Sequence, residues 1–187
     1  MDMPVRVPQI RKELKTVDDI ESLPDGVRAE LIDGVVYDMA TPGRTHQELV
    51  HYFDMTIGNY IVDHNGNCKV YPAPFAVFIN KDKWTYLEPD ISVICDKDKL
   101  DDRGCNGAPD WVIEIVSPSS RQMDYILKLV KYQTSGVREY WIVDPEQRSV
   151  IVYDFQDEEG ARIYTFDDEI SSGIYPDLRI RINDFLG

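Results

Sequence analysis

Three features of the sequence predict a mixed α/β fold, an α+β arrangement around one mixed sheet. Two stretches with helical periodicity, residues 43–64 and 121–135, stand well apart in the chain. Three strand candidates lie between them and a fourth follows the second. Hairpin patterns flank this block on both sides. From residue 43 to residue 143 the order is therefore α-β-β-β-α-β. With 187 residues the chain has room for one sizeable core and little more. Residues 1–15 read as an N-terminal tail and 16–187 as a single domain.

The elements follow from local patterns. A short helix is expected at 16–21, where Thr16 caps and Asp19 sits three residues on. Asp33-Gly34 suits a two-residue turn and predicts a hairpin of 28–32 with 35–39. In the first long helix Leu49, Phe53, Ile57, Tyr60 and Ile61 recur every three to four residues, the spacing of one apolar face. Asn65-Gly66 stops it. Residues 68–79 are rich in β-formers but carry Pro72 and Pro74, which points to an edge or an irregular stretch. Residues 91–95 form a short apolar strand, and 111–116 a half-buried strand with Glu114 among apolar neighbours. Pro118 ends that strand. Ser119 or Ser120 then caps the second helix, and Gly136 terminates it. Strands at 139–143, 150–155, 162–166 and 178–182 complete the chain.

Composition excludes several classes of function. No run approaches the roughly 18 apolar residues that span a bilayer, and the N-terminus lacks the apolar region of a secretory signal. A cytoplasmic protein with no membrane association is expected. Cys68, Cys95 and Cys105 are odd in number and widely spaced, with no CxxC pair. They read as free thiols in a reducing cytosol rather than as a zinc site. The net charge of −14 weighs against coating nucleic acid. It does not weigh against phosphodiester chemistry, because clustered acids are what a hard cation needs.

The chemistry centres on two carboxylates. Asp90 opens one strand and Glu114 lies on the next. If the two strands pair antiparallel, the start of one lies beside the end of the other, and the acids become neighbours. Such a pair repels unless a cation sits between its members. Mg²⁺ takes oxygen ligands and commonly only one or two protein carboxylates. The Ile115 carbonyl is a third donor, and Mn²⁺ could substitute for Mg²⁺. Asp110 is excluded from that site, because four strand residues separate it from Glu114 by about 13 Å. It reads as a cap at the strand entrance. The charged stretch 96–110 is long for a hairpin loop, which fits either a functional loop or a solvated one. Asp124, Lys128 and Lys131 share a helix face. Met123, Ile126, Leu127 and Val130 line other faces and would supply the core contact. Spacing alone also fits a solvent-facing Asp-Lys pair.

Several motifs then carry a resemblance. GAPDWVIEIVSPSS, the D-x-x-x-K-x-x-x-Y of Asp124, Lys128 and Tyr132, GVREYWIVDP, AELIDGVVYDMATPGRTHQELV and EPDISVI occur in order between residues 27 and 155. Together they resemble a large bacterial family of restriction-endonuclease-like proteins, abundant in cyanobacteria and long known only as a domain of unknown function. The resemblance implies the restriction endonuclease-like core of the PD-(D/E)XK nucleases, α-β-β-β-α-β. It puts Asp90 at the PD aspartate and Glu114 at the (D/E). The superfamily lysine belongs two residues after the glutamate, where this chain has Val116. In the related family the lysine comes from the following helix, which points to Lys128, with Lys131 as competitor. Glu30 and His46 also match. Glu30 reads as an added metal or water ligand or as a polar residue at a strand edge, and His46 as a substrate or metal contact or as a structural residue. Asp124 joins them as an auxiliary group.

The expected activity is Mg²⁺-dependent hydrolysis of DNA, with Asp90, Glu114 and Lys128 as catalytic residues. A homodimer is plausible, because cutting both strands of a duplex takes two sites. The alternative is a binding or regulatory protein on a nuclease-like scaffold that does not cleave. Histidines five residues apart do not make HExxH, so a zinc protease is rejected. Ser117, Ser119 and Ser120 lack evident His or Asp partners and read as helix caps. Tyr140 and Trp141 read as core.

Overall fold

The computed structural model describes residues 13–157 and 160–186. Most of the expected tail lies outside them. Lys15 donates its backbone N–H to Gly34 at 2.8 Å. Helix α1 (Val17–Glu21) follows, with the Asp19 carboxylate accepting from Thr16 N–H at 2.7 Å. Strands β1 (Ala29–Ile32) and β2 (Val35–Asp38) form the expected hairpin. Asp33 and Gly34 both have positive φ there, as a type I′ turn requires.

Helix α2 (Arg44–Asp63) buries Leu49, Val50, Phe53, Ile57 and Ile61 on one face. Each such side chain removed from water contributes about 1.5–3 kcal/mol. Seven strands follow: β3 (Lys69–Pro72), β4 (Val77–Phe78), β5 (Ile91–Ile94), β6 (Leu100–Asp101), β7 (Gly104–Asn106), β8 (Trp111–Ile115) and β9 (Glu139–Asp144). A helical stretch joins β8 to β9. It includes a π-helical segment, Met123–Lys128, and continues as α3 (Leu129–Ser135). Strands β10 (Ser149–Asp154) and β11 (Ala161–Thr165) and a short α4 (Asn183–Leu186) end the chain.

The main sheet has the order β11-β10-β9-β8-β5-β3. Only β8 and β9 run parallel, because a helical crossover connects them. The other neighbours are antiparallel. Strand β3, which ends at Pro72, lies at the edge. One face packs Trp111, Ile113, Ile115 and Trp141 against α2. The other packs Val112, Val116, Tyr140 and Ile142 against Tyr132 and partly buried Leu129. All of β8 is therefore buried, not half-buried as its alternation suggested. Tyr140 and Trp141 are core, as expected.

Four further expectations are corrected. The stretch 96–110 is not an open loop, since β6 and β7 within it form a small sheet with β4. No strand spans 178–182, where a single bridge joins Ile170 and Ile180. The start of the second helix is capped by a reciprocal pair, Ser120 N–H to Ser117 Oγ at 3.1 Å and Ser117 N–H to Ser120 Oγ at 3.0 Å. Finally, Cys68 and Cys95 form a disulfide, and Cys105 is the free, buried cysteine. Lys69 pairs with Ile94 in the β3–β5 register, so the next pair outward is Cys68 with Cys95.

Candidate active site

Strand register brings the two predicted acids together. Ile91 pairs with Ile113, which sets Asp90 opposite Glu114. Ile115 N–H donates to Asp90 Oδ2 at 2.8 Å, and Asp90 N–H approaches Glu114 Oε2 at 3.4 Å. Asp110 lies at the other end of β8, accepting from Cys95 N–H at 2.8 Å and paired with Arg138. That is the strand-entrance role expected of it.

The second helix turns its polar face inward. Asp124, Lys128 and Tyr132 are buried, whereas Ile126 is 54% and Val130 55% exposed, with Leu127 also exposed. The expected core contact through Ile126, Leu127 and Val130 is thus inverted, and the solvent-facing Asp-Lys pair is excluded. The physical reason lies across the interface. Glu114 and Glu30 present carboxylates to this helix, and buried charges must be paired. Lys128 Nζ lies 2.8 Å from Glu114 Oε1, 2.9 Å from Glu30 Oε2 and 3.8 Å from Asp124 Oδ1. Lys131 lies outside this cluster, bound to Asp33 at 2.6 Å. Asp124 and Lys128 both fall in the π-helical segment, a feature that recurs at functional sites.

Further groups hold the cluster in place. Tyr132 donates its hydroxyl to Glu114 Oε1 at 2.6 Å. Glu30 Oε1 accepts from Glu88 N–H at 3.0 Å, and the Glu88 carboxylate is gripped by Arg28 and Tyr86. His46, on the first turns of α2, places Nε2 3.1 Å from Asp90 Oδ2. The sequence reading missed Tyr132 as a site group, and Arg28 and Glu88 altogether. Tyr132 had a signal, since it lies four residues beyond Lys128 on the same helix. Glu88 opens the EPDISVI motif, but nothing local joins it to Arg28, because tertiary folding alone brings residues 28 and 88 together.

Burial shapes the electrostatics. It pushes the Glu114 carboxyl well above the ordinary carboxylate range, against the pull of Lys128. Burial likewise raises Asp124 to about 6. For Lys128 burial opposes the charge, but Glu114, Glu30 and Asp124 outweigh it and hold the ammonium protonated. Burial also opposes an imidazolium at His46, yet Asp90 shifts the balance upward.

The donor set fits a hard divalent cation. Asp90 Oδ1 takes part in no hydrogen bond among the described residues, and Glu114 Oε2 receives only the long contact from Asp90 N–H. Two carboxylate oxygens on adjacent strands are thus left without a strong donor, beside the Ile115 backbone. Among the described residues no group of three or more His, Cys, Asp or Glu is arranged to hold a metal ion, so any cation here would rest on this pair. A pair of carboxylates with open positions is the arrangement Mg²⁺ commonly uses. These groups line a cleft of about 360 Å³, bounded also by Tyr37 to Gly43, Ser117 to Ser120 and Met123.

Fold and cleft together define a nuclease-like α/β protein whose acids meet where antiparallel strands pair. A family model described as "Uma2: Putative restriction endonuclease" matches residues 16–183, and the chain belongs to that family. The fold is shared with the crystal structure of a "putative nuclease belonging to DUF820" from Anabaena variabilis ATCC 29413. The TM-score is 0.72, at 22% identity over 91% of this chain and 96% of that one. No curated protein matches the chain. No helix among the described residues is long and apolar enough to cross a membrane.

Proposed function

We propose that this protein is a Mg²⁺-dependent endonuclease that hydrolyses phosphodiester bonds of DNA, with Mn²⁺ able to replace Mg²⁺. One observation carries the reading: Asp90 and Glu114 are cross-strand neighbours, and Lys128 donates to the same glutamate at 2.8 Å. Asp90 and Glu114, with the Ile115 carbonyl beside them, would hold the cation. A cation held there would supply positive charge for the phosphate and lower the pKa of a bound water. Lys128 fixes the orientation of Glu114 and adds positive charge at the cleft floor, where the transition state gains negative charge. His46 orients Asp90, while Glu30 and Asp124 keep Lys128 in place. Access to DNA favours a cytoplasmic location, and the Cys68–Cys95 bridge weighs against it. A two-fold dimer would carry two such sites.

The test is cleavage of supercoiled plasmid and of single-stranded DNA in Mg²⁺, Mn²⁺ or EDTA. Wild type is expected to cut only with metal, and Asp90→Asn to lose cutting while remaining folded. Full activity in Asp90→Asn would sink the assignment. The other reading is a non-cleaving binding protein on the same scaffold. It draws on the net charge of −14 and on the lysine's absence two residues after Glu114. Metal binding without cleavage of any substrate would favour it.

A further inference from the structure

We infer that the cleft takes an unpaired strand and discriminates against intact duplex. This rests on the nuclease reading for the chemistry, but stands on separate observations for the substrate. The first is depth. The side chains of Glu114 and Lys128 are 4% and 5% exposed and that of Asp90 13%, so the groups meant to reach a phosphate lie at the floor of a recess. The recess measures about 360 Å³, near the lower end of the roughly 300–1,000 Å³ typical of small-molecule sites. A stacked duplex presents its phosphates on a convex rod and cannot lower one into such a hole. An unpaired or extruded nucleotide can.

The second observation is the wall. Among the described residues, Arg28 and Lys128 are the only Lys or Arg lining the cleft. Lys128 is held by carboxylates, and Arg28 by Glu88 at 2.5 Å. Duplex binding draws on many free cations along the backbone, and the described residues that line the cleft offer none. The wall instead carries Tyr37, Met39, Pro42, Val50 and Met123. An aromatic ring with apolar neighbours holds a base by its face, which only an unstacked base can present.

Tyr37 is therefore the stacking residue for the nucleotide at the floor. The test compares a short fluorescein-labelled oligodeoxynucleotide with the blunt duplex of the same sequence. Binding is measured by anisotropy in Ca²⁺, with cleavage followed separately in Mg²⁺ and Mn²⁺. The single strand is expected to bind about ten-fold or more tighter. The salt slope should stay shallow, no steeper than about −1.4, the value for two phosphate contacts on a single strand. Tyr37→Ala should lose about five-fold or more in affinity, while Tyr37→Phe retains it. Duplex bound as tightly as the single strand, or neither bound, overturns the inference. So does duplex cut at least as fast, though it leaves the nuclease reading intact. Single-strand binding that depends on the Tyr37 ring, with no cleavage in either metal, supports the inference and overturns the nuclease reading.

Discussion

Lys128 reaches back from the helix that follows β8 to donate to Glu114 on that strand, at 2.8 Å, and the pair is closed off from solvent. The same ammonium also holds Glu30 at 2.9 Å. Removing it by Lys128→Met leaves two buried carboxylates facing each other. We expect a stability loss of about 3–5 kcal/mol in urea unfolding, the range for breaking a buried pair. A loss below about 1 kcal/mol, the range of exposed pairs, would contradict the burial.

On the proposed reading, Asp90 and Glu114 share a divalent cation. Saturating Mg²⁺ or Mn²⁺ should therefore stabilise wild type, by about 2.7 kcal/mol at 100 times the Kd. In a chain of this size that raises Tm by about 2–4 °C per kcal/mol. The rise should vanish in Glu114→Gln. An equal rise in wild type and variant would show that the metal binds elsewhere.

Tyr132 donates to a carboxylate at 2.6 Å inside the core. Tyr132→Phe keeps the ring and deletes that bond. Hydrogen bonds to charged groups contribute about 1.5–3 kcal/mol, and we expect a loss in that range. The double variant with Glu114→Gln supplies the control. Purely additive losses would mean that the hydroxyl acts through something other than Glu114.

The Cys68–Cys95 bridge joins residues 27 apart. Protein unfolded without reductant should show one titratable thiol, that of Cys105. Replacing both bridged cysteines by serine should cost about 2–4 kcal/mol. Three titratable thiols would restore the reducing-cytosol reading of the sequence.

Ile126 and Val130 offer the plainest check of the inverted helix. Both are more than half exposed. Ile126→Ser should change stability by no more than about 0.5 kcal/mol. A loss of about 2–5 kcal/mol, the cost of emptying a core site, would return these residues to the interior.

Much of the fold was legible because its signals are local. Leu49 to Ile61 repeat at helical spacing, Asp33-Gly34 demands positive φ at both positions, and Gly136 takes the left-handed conformation that ends α3. Pro72 marks an edge because it has no N–H to donate. The Asp90–Glu114 pairing was also within reach, since one antiparallel register sufficed to predict it. The disulfide was not, although the same sheet holds it. Cys68 and Cys95 become partners only once the β3–β5 register is set, and nothing near either residue encodes that register.

The second helix marks the boundary between the two kinds of information. Residues 121–135 alone established that Asp124 and Lys128 share a face. They did not establish which way the face points, because hydrophobic periodicity assumes that apolar residues win the interior. Glu114 from β8 and Glu30 from β1 overturn that assumption. Their buried carboxylates require a cation, and Lys128 is brought within reach while Lys131 goes to Asp33. The sequence thus determined the elements of the main sheet and its two long helices, their order and the pair of acids. Tertiary structure decided the orientation of the helix, the choice of lysine, the disulfide and the depth of the cleft. Each of these depends on contacts between residues far apart in the chain, and their energies exist only once the strands and the helix have packed.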